Sequence, residues 1–351
     1  MSEHKPIAVA LLFTLVVALF SFEPFPRATA LVPLPPPSTT IVAVGDILLG
    51  RSLGVLMEQT GDYSLPFAGI SRELTSADIT FGNLEGPFCG EPPYPAAGMV
   101  FRVRPSAVAG LLRAHFNVMN VANNHFENGG DACMRFSLEH LRRAGIATAG
   151  AGVTYEDAHA PAIVVRNRVH FAFLGYTYAL RNDEPGATQP VIAGRNPESV
   201  RRDVGAALAL ADAVIVSLHD GNEYTSRVAP ETVEFAHAAI DAGASVVLGH
   251  HPHVPQRVEL YHGGWIFYSL GNFVFQQSQP PETRTALMAR LKFSGAVLVR
   301  AEAIPVVIEW HSRPRLASVE ESAPILSRIG LTAPLLWPPV ETSLAGRGAH
   351  K

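Results

Sequence analysis

The chain has 351 residues, of which 48% are hydrophobic, and its formal net charge at pH 7 is -4. This apolar content is enough to bury a large core, which excludes a disordered protein, and the length allows one large domain or two. The sequence has no long block of lysine or arginine, so its charge pattern gives no support for a nucleic-acid partner.

The first element is a nearly continuous apolar run from Ile7 to Phe22. This run is somewhat short for a spanning helix of ~20 residues, and Ala28-Thr29-Ala30 has the small-x-small form of a cleavage site. We therefore predict that residues 1–30 are either a signal peptide cleaved after Ala30 or a retained N-terminal membrane anchor. Both alternatives predict an extracytoplasmic protein, either secreted or periplasmic after cleavage or anchored to the membrane.

The composition then divides the rest of the chain into three parts. Residues 31–39 contain four prolines and are predicted to form an extended linker. Residues 40–316 carry regular apolar periodicity and form the predicted folded domain. Residues 317–351 are rich in Pro, Ser and Gly without sustained periodicity, which predicts a loosely packed C-terminal tail.

In the first half of this domain, each predicted β-strand ends at a short polar motif. The strand Ile41 to Val44 precedes Gly45-Asp46, and Ile79 to Phe81 precedes Asn83-Leu84-Glu85. Val118 to Val121 precedes Asn123-Asn124-His125 in the same way. Helices are predicted between and after these strands, over Pro105 to Ala114 and Asp131 to Ala144.

The same alternation of strand and helix continues until the sequence pattern changes near residue 255. Ala213 to Leu218 leads to His219, and Ser245 to Leu248 leads to Gly249-His250-His251-Pro252-His253. Later segments, among them Ala296 to Ala303 and Val306 to Trp310, indicate antiparallel strands, with a hairpin signal at Gly263-Gly264. A parallel α/β part followed by antiparallel strands predicts two sheets packed face to face with helices outside.

The polar motifs together predict a metal site. In open α/β sheets, loops at the carboxyl ends of strands converge on one crevice, so residues distant in sequence meet there. Carboxylate and amide oxygens and imidazole nitrogens are ligands for Zn²⁺, Mn²⁺ or Fe ions. We therefore expect a divalent metal cofactor (Mn, Zn or Fe) bound by these motifs.

The five ordered motifs resemble those of the CapA family of capsule or poly-γ-glutamate synthesis proteins, over roughly Thr40 to Pro314. They are Gly45-Asp46-Ile47-Leu48-Leu49-Gly50-Arg51, Asn83-Leu84-Glu85, Ala122-Asn123-Asn124-His125, Gly249-His250-His251-Pro252-His253-Val254 and Ser269-Leu270-Gly271-Asn272-Phe273. That family is similar to the calcineurin-like metallophosphoesterases. The resemblance implies an α/β fold of the calcineurin-like metallophosphoesterase type, a two-sheet β-sandwich flanked by helices.

The resemblance also implies roles for individual residues. The implied metal ligands are Asp46, Glu85, Asn124, His219, His251 and His253. His125 would face the substrate and act as the catalytic proton donor. The family pattern has a histidine two residues after the first aspartate, where this chain has Leu48. One metal position would therefore lack a donor, which implies a mononuclear site or a weaker second metal.

Other polar residues near these motifs have two interpretations each. Arg51, Arg102 and Arg104 either hold an anionic substrate, since guanidinium groups match carboxylates and phosphates, or are ordinary surface charges. His250 and Glu223 are candidates for support of a metal ligand rather than for direct coordination. Cys89 and Cys133 form either a disulfide, which an exported protein permits, or two unlinked thiols.

Two functions are consistent with the sequence. The first is an extracytoplasmic metal-dependent hydrolase of a phosphoester or of an amide or other acyl bond in an envelope polymer. The second is a non-catalytic assembly or export factor with a structural or vestigial metal site. In both, the resemblance implies an anionic envelope polymer, first poly-γ-glutamate, and a membrane-bound synthase complex as candidate partners.

Overall fold

The computed structural model describes residues 36–277 and 279–331, together with the backbone of residues 335 and 336. The predicted signal or anchor of residues 1–30, most of the linker and the end of the tail lie outside the described residues. Within the described ranges, no helix has both the length and the apolar character needed to cross a membrane.

The secondary structure alternates strands and helices through most of the domain. The described strands are β1 (Ser38–Ile47), β2 (Ile79–Leu84), β3 (Phe116–Asn120), β4 (Ala147–Ala149), β5 (Ala151–Gly152), β6 (Ala162–Arg166), β7 (Val169–Thr177), β8 (Val191–Ile192), β9 (Ala213–His219), β10 (Val246–His250), β11 (Val258–Tyr261), β12 (Gly264–Phe267), β13 (Asn272–Val274), β14 (Thr285–Ser294), β15 (Val297–Glu309), β16 (Arg313–Leu316) and β17 (Leu335–Leu336). The described α-helices are α1 (Arg51–Thr60), α2 (Ser71–Thr75), α3 (Val108–Arg113), α4 (Gly130–Arg143), α5 (Tyr155–His159), α6 (Pro197–Leu208), α7 (Pro230–Asp241) and α8 (Val319–Arg328).

Two large mixed sheets carry the fold. The first has the order β16-β15-β14-β1-β2-β3-β4, with β13 also paired to β1 and β17 to β15. The second has the order β11-β12-β10-β9-β7-β6, and β5 and β8 form a separate small ribbon. The strands β1 to β4 are parallel to one another, as are β7, β9, β10 and β12. Their carboxyl ends therefore lie at common edges of the two sheets.

Three apolar layers show how the sheets and helices pack. One buried cluster contains side chains from the facing surfaces of both sheets, including Phe81 and Phe173, whose rings stack at 5.5 Å. A second cluster joins the outer surface of the first sheet to α1, α3 and α4, and a third joins the second sheet to α6 and α7. The predicted α/β architecture, a two-sheet sandwich flanked by helices, is confirmed.

Two described elements lie at the ends of the predicted domain. β1 begins at Ser38, inside the predicted linker, because Ser38 and Thr39 pair with Ser294 and Phe293 of β14. The predicted loose tail begins with the ordered helix α8, which is stabilised at its start by a capping box between Ser318 and Glu321. Its apolar face buries Ile325, Leu326 and Ile329 against the core between the sheets.

The structure also joins two predicted strands into one. Ala296 to Ala303 and Val306 to Trp310 are expected as separate strands, whereas β15 is continuous through Pro305. Pro305 lies between the segments of β15 that pair with β17 and with β16. Its missing N–H is therefore tolerated at this point of the sheet.

Candidate metal centre

Glycines bring the strand ends that carry the motifs close together. A Cβ atom added to Gly45 would lie 1.8 Å from the carbonyl oxygen of Gly271, and one added to Gly249 would lie 2.0 Å from that of Tyr268. Because no side chain fits at either position, β1 can approach the segment before β13, and β10 the end of β12. This close approach places Asp46 beside the histidines that follow β10.

Asp46 is fully buried at the end of β1 and has a polar neighbour at each carboxylate oxygen. Its Oδ1 accepts a hydrogen bond from Asn83 Nδ2 at 2.8 Å, and its Oδ2 accepts one from the backbone N–H of His251 at 3.3 Å. The Nδ1 atoms of His250 and His253 lie 3.5 and 3.3 Å from this carboxylate. Burial alone raises the pKa of Asp46, but these two imidazoles outweigh burial and hold it well below its usual range.

Glu85, just after β2, is also fully buried, but its carboxylate has no hydrogen-bond donor among the described residues. Its Oε1 lies 3.8 Å from His253 Nε2 and 3.9 Å from His125 Nε2. Burial and the nearby Asp46 charge raise the pKa of Glu85 well above its usual value. A buried carboxylate without donors is stable as an anion only beside a cation, so Glu85 fits a metal ligand.

A second group of donors comes from both sheets. His219, at the end of β9, contacts Asn124 through Nε2 at 2.8 Å, and Asn83 Nδ2 donates to its Nδ1 at 3.2 Å. The rings of His219 and His251 lie 4.8 Å apart. Burial and the other imidazoles lower the pKa of His219, and burial and His253 lower that of His251 to about 4. Both rings are therefore neutral near pH 7, the form that binds metals.

The donor spacing is compatible with a metal ion. Ligand atoms of Asp46, Glu85 and His253 lie within 4.8 Å of one another, as do those of Glu223, His251 and His253. Four of the six predicted ligands thus meet this spacing, and His219, which contacts Asn124, lies 4.0 Å from Asp46. The structure also places the exposed Glu223, which the sequence assigns only a supporting role, within reach of the same histidines. Mixed carboxylate and imidazole donors suit Mn, Zn or Fe.

Leu48, which occupies the position of an expected ligand, is fully buried in the apolar layer beneath α1. Residue 48 therefore supplies no imidazole ligand to a metal bound beside Asp46. His250 lies next to Asp46 and is also fully buried, and neither of its ring nitrogens has a partner that meets hydrogen-bond geometry among the described residues. It supports Asp46 from the side that faces the core.

His125 is held beside Glu85 by contacts on its other faces. Its Nδ1 lies 3.0 Å from Asn128 Oδ1, and its ring stacks on Phe101 at 3.9 Å between centroids. Asn128 Oδ1 also accepts a hydrogen bond from the Phe101 N–H, so His125 Nδ1 carries the proton and Nε2 is the open nitrogen. Burial lowers the pKa of His125, which makes the neutral ring the main form near pH 7.

The two predicted substrate arginines differ in position. Arg51, at the start of α1, lies over the Phe101 ring at 5.1 Å and interacts electrostatically with Glu85, so it borders the centre. Arg102 instead donates to Cys89 Sγ at 3.2 Å and to the Glu91 carbonyl at 2.7 Å. Because Phe101 faces His125, its neighbour Arg102 is directed away from the centre, and its contacts give no support to a substrate-binding role.

Cys89 and Cys133 form a disulfide bond with a sulfur–sulfur distance of 2.15 Å. The bond connects the loop after β2 to the first turns of α4. Glu85 precedes one end of this link, and His125 and Asn128 precede the other. The disulfide therefore constrains both loops that position the centre's carboxylate and its open imidazole.

Sequence reasoning did not assign roles to three amides that fix the centre. Asn83 holds Asp46 and His219, Asn128 orients His125, and Asn272 Oδ1 accepts from His253 Nδ1 at 2.8 Å. Asn83 and Asn272 belong to motifs that the sequence singles out. A signal was therefore present for these two, whereas Asn128 lies outside the motifs.

Comparisons with known proteins agree with these motifs. The family model described as "Bacterial capsule synthesis protein PGA_cap" matches residues 40–277. The chain is 32% identical over 284 residues to the "Capsule biosynthesis protein CapA" of Bacillus anthracis, covering 78% of this chain and 68% of that protein. It is 33% identical over 275 residues to the "PGA biosynthesis protein CapA" of Bacillus subtilis (strain 168), covering 76% and 70%.

A more distant relative comes from Mycobacterium tuberculosis and bears the name "Probable polyglutamine synthesis accessory protein". It is 28% identical over 295 residues, covering 68% of this chain and 75% of that protein. The family match spans the strands that carry the candidate ligands, from Asp46 to His253. The chain therefore belongs to the bacterial capsule synthesis protein family PGA_cap, of the CapA type, within the metallophosphoesterase-like superfamily.

Proposed function

We propose that this protein is an extracytoplasmic, metal-dependent hydrolase that acts in the production of an anionic envelope polymer, with poly-γ-glutamate as the first candidate. The observation that carries the proposal is Glu85, a fully buried carboxylate with no hydrogen-bond donor among the described residues. It lies where Asp46, His253 and His125 converge. A divalent cation of the Mn, Zn or Fe type satisfies this arrangement, with one ion or two.

The proposed reaction is hydrolysis of a phosphoester or of an amide or other acyl bond of the polymer. A bound divalent metal supplies an activated water by lowering its pKa toward ~7 and polarises a phosphoryl or carbonyl oxygen. His125 first takes up a proton and then protonates the leaving group through Nε2. Because burial lowers the pKa of His125, the protonated ring is the minor form near neutral pH. Arg51 holds an anionic group of the substrate at the edge of the centre.

The disulfide supports the extracytoplasmic location. Disulfides form and persist in oxidising compartments and are rare in the cytosol. The Cys89–Cys133 bond lies beside the centre, so this compartment would also keep the centre's loops in place. We propose a membrane-bound polymer synthase complex as a partner, because one relative is named as an accessory protein of polyglutamine synthesis.

A second candidate function is a non-catalytic assembly or export factor whose metal site is structural. Leu48 favours it, because a buried leucine replaces a ligand and leaves one metal position short of donors. The open Nε2 of His125 favours the hydrolase, because a structural site does not need an imidazole with an unused nitrogen beside it.

The test is a metal assay of the full chain, followed by an activity screen against generic phosphoesters and poly-γ-glutamate. The hydrolase proposal predicts near-stoichiometric divalent metal and turnover that a chelator abolishes. If the protein binds metal but turns over no phosphoester or polyglutamate, and the strain still needs the gene to make polymer, the assembly factor is favoured instead. Absence of metal from the purified protein would contradict both.

A further inference from the structure

A cavity of about 400 Å³ lies next to the candidate metal centre. Its lining comes from two segments of the first sheet's border, residues 275–277 after β13 and residues 308–312 at the end of β15 and just beyond it, together with Ser52 and Arg284. The volume falls within the range of ~300–1,000 Å³ that is usual for ligand sites. None of the candidate metal ligands lines this cavity.

The wall formed by residues 275–277 is shared between the cavity and the centre. The ring of Phe275 packs against His253 at 4.8 Å and against Phe101 at 5.9 Å. Gln276 accepts a hydrogen bond from Arg51 through its carbonyl oxygen, and its side chain contacts Ser52. Residues 275–277 therefore contact both the cavity and the residues around the centre.

The same wall presents amide groups. The side chain of Gln277 contacts Tyr224, whose ring faces His253, and Asn272, which holds His253. Glutamine amides both donate and accept hydrogen bonds, which is the pattern needed to pair with amide groups of a polymer backbone.

The second lining segment, residues 308–312, is unusual in two ways. Trp310 is 80% exposed, which is high for the largest apolar side chain in a protein. The next two residues, His311 and Ser312, both have positive φ angles of 58° and 57°. Non-glycine residues in this region are strained, and such strain is concentrated at ligand sites.

The cavity also carries a cation that is not neutralised. Arg284 donates Nε–H to the Ile308 carbonyl at 3.1 Å, and its terminal nitrogens have no partner among the described residues. Glu309, the carboxylate of the lining, is already paired with Arg315 at 2.8 Å. The charge of Arg284 is therefore available for an anionic group.

We propose that this cavity is a subsite for a carboxylate-bearing polyamide chain, a stretch of polymer whose neighbouring segment reaches the metal centre. Arg284 pairs with a side carboxylate, Gln276 and Gln277 hydrogen-bond backbone amides, and Trp310 covers the methylene groups. The inference rests on the proposed function, because it names how the polymer of that function is held. It adds a binding site outside the metal ligands.

Calorimetric titration of the metal-loaded full chain with a synthetic γ-linked glutamate oligomer tests the subsite. Arg284→Gln and Trp310→Ala should each raise the Kd about 10-fold, the effect of losing one charge-assisted contact or one buried aromatic face. Arg201→Gln, on the exposed face of α6, and Leu210→Ala, which removes an exposed leucine, are the matched controls and should leave the Kd unchanged. Metal content should be the same in all five proteins.

Equal binding by the wild type and both cavity variants would overturn the subsite, as would equal binding of a neutral polyglutamine oligomer of the same length. A change of oligomeric state in Trp310→Ala with an unchanged Kd would assign the tryptophan to self-association and overturn it as well. The proposed function is separable, because it depends on hydrolysis and polymer yield in Asp46 and His125 variants. If the Asp46 and His125 variants lose these activities while the cavity variants bind the oligomer as the wild type does, the proposed function is supported and the subsite is overturned.

Discussion

His253 Nε2 lies 3.8 Å from Oε1 of Glu85, a distance at which the two buried groups face each other without a hydrogen bond. On the other side of the ring, His253 Nδ1 lies 2.8 Å from Asn272 and 3.3 Å from Asp46. Burial alone would lower the pKa of His253, but Glu85 and Asp46 raise it to about 9. The two carboxylates thus hold positive charge between them, as they would hold a metal ion.

The first prediction concerns metal content. Replacing both His251→Ala and His253→Ala should abolish the near-stoichiometric metal of protein purified without chelator, because both proposed metal positions lose an imidazole. The double variant His170→Ala with His262→Ala removes two exposed histidines that pair with surface aspartates, and it should keep the metal. Elemental analysis gives the metal content of each protein.

Metal removal should also destabilise the wild type. A ligand present at about 100 times its Kd stabilises the folded state by ~2.7 kcal/mol, so a chelator should lower the free energy of unfolding by a similar amount. Urea unfolding with and without chelator measures this difference. Wild-type protein that contains no metal, and whose stability does not change when metal is added, would contradict the prediction.

The sequence singles out each candidate ligand because it follows an apolar strand at its carboxyl end. Parallel pairing then brings Asp46, Glu85 and Asn124 to one edge and His219 and His251 to another. The sheet order, and therefore which edges face each other, depends on long-range pairing that no local pattern records. This explains why the donors could be identified but their mutual contacts could not.

Where the structure differs from expectation, the cause is physical. Arg102 and Arg51 are both expected to bind substrate, but the alternation of side chains along an extended segment turns Arg102 toward the disulfide while Phe101 faces the centre. In the tail, Ser318 and Glu321 form a capping box whose S-x-x-E signal is present in the sequence. The Pro- and Ser-rich composition hid it, together with Pro324 within the helix.

A second prediction concerns pH and a buried histidine distant from the centre. His159 lies 2.6 Å from Asp203 and 2.7 Å from Asp183. Burial alone lowers its pKa, but hydrogen bonds to the two aspartates raise it to about 9. Because this folded-state value is above the unfolded value of ~6.5, the stabilisation is fully present below about pH 6.5 and is lost as the pH rises through about 9.

We therefore expect the free energy of unfolding of the wild type to fall by an amount on the order of 2 kcal/mol between about pH 6 and about pH 9.5. The His159→Gln variant should lack this decrease. Urea unfolding of both proteins at the two pH values measures this difference. His170→Gln, at a half-exposed ion pair, is the control and should retain the wild-type dependence. The same pH dependence in His159→Gln and wild type would show that this network contributes nothing.

The third prediction concerns the disulfide. Cys89 and Cys133 are 44 residues apart, and closing such a loop stabilises the folded state by on the order of 3 to 4 kcal/mol in the chain-entropy model. The variant Cys89→Ala with Cys133→Ala should lose stability of this order, and a reductant should then have no further effect on it. Thiol labelling of denatured, unreduced wild type from the exported fraction should detect no free thiol. Two labelled thiols there would refute the bond.

The fourth prediction concerns location, and its basis lies outside the described residues. The apolar run from Ile7 to Phe22 should carry the chain across the membrane, leaving the domain from Thr40 onward outside the cytoplasm. A reporter fused after Pro37 should therefore be active only when exported. N-terminal sequencing would distinguish cleavage after Ala30 from retention as an anchor. Activity of the fusion confined to the cytoplasm would contradict export.

The last prediction separates the hydrolase from the assembly factor. In a hydrolase, His125→Asn should reduce turnover by roughly 10²- to 10⁴-fold, the usual effect of losing a general acid, while metal content stays intact. The metal should remain because His125 Nε2 lies 3.9 Å from Glu85 and the ring is held independently by Asn128 and Phe101. His262→Asn, at an exposed ion pair, is the matched control and should not change turnover.

Asp46→Ala provides the contrasting variant. It removes the carboxylate that contacts Asn83, His251 and His253, so it should lose metal and abolish polymer production under either function. An assembly factor should therefore keep nearly normal polymer yield with His125→Asn and lose it with Asp46→Ala, whereas a hydrolase should lose yield with both. Polymer yield and metal content, measured in strains that carry each variant, distinguish these patterns. Normal polymer in a strain without the gene would contradict both functions, because neither the open imidazole nor the metal-supported loops would then be needed.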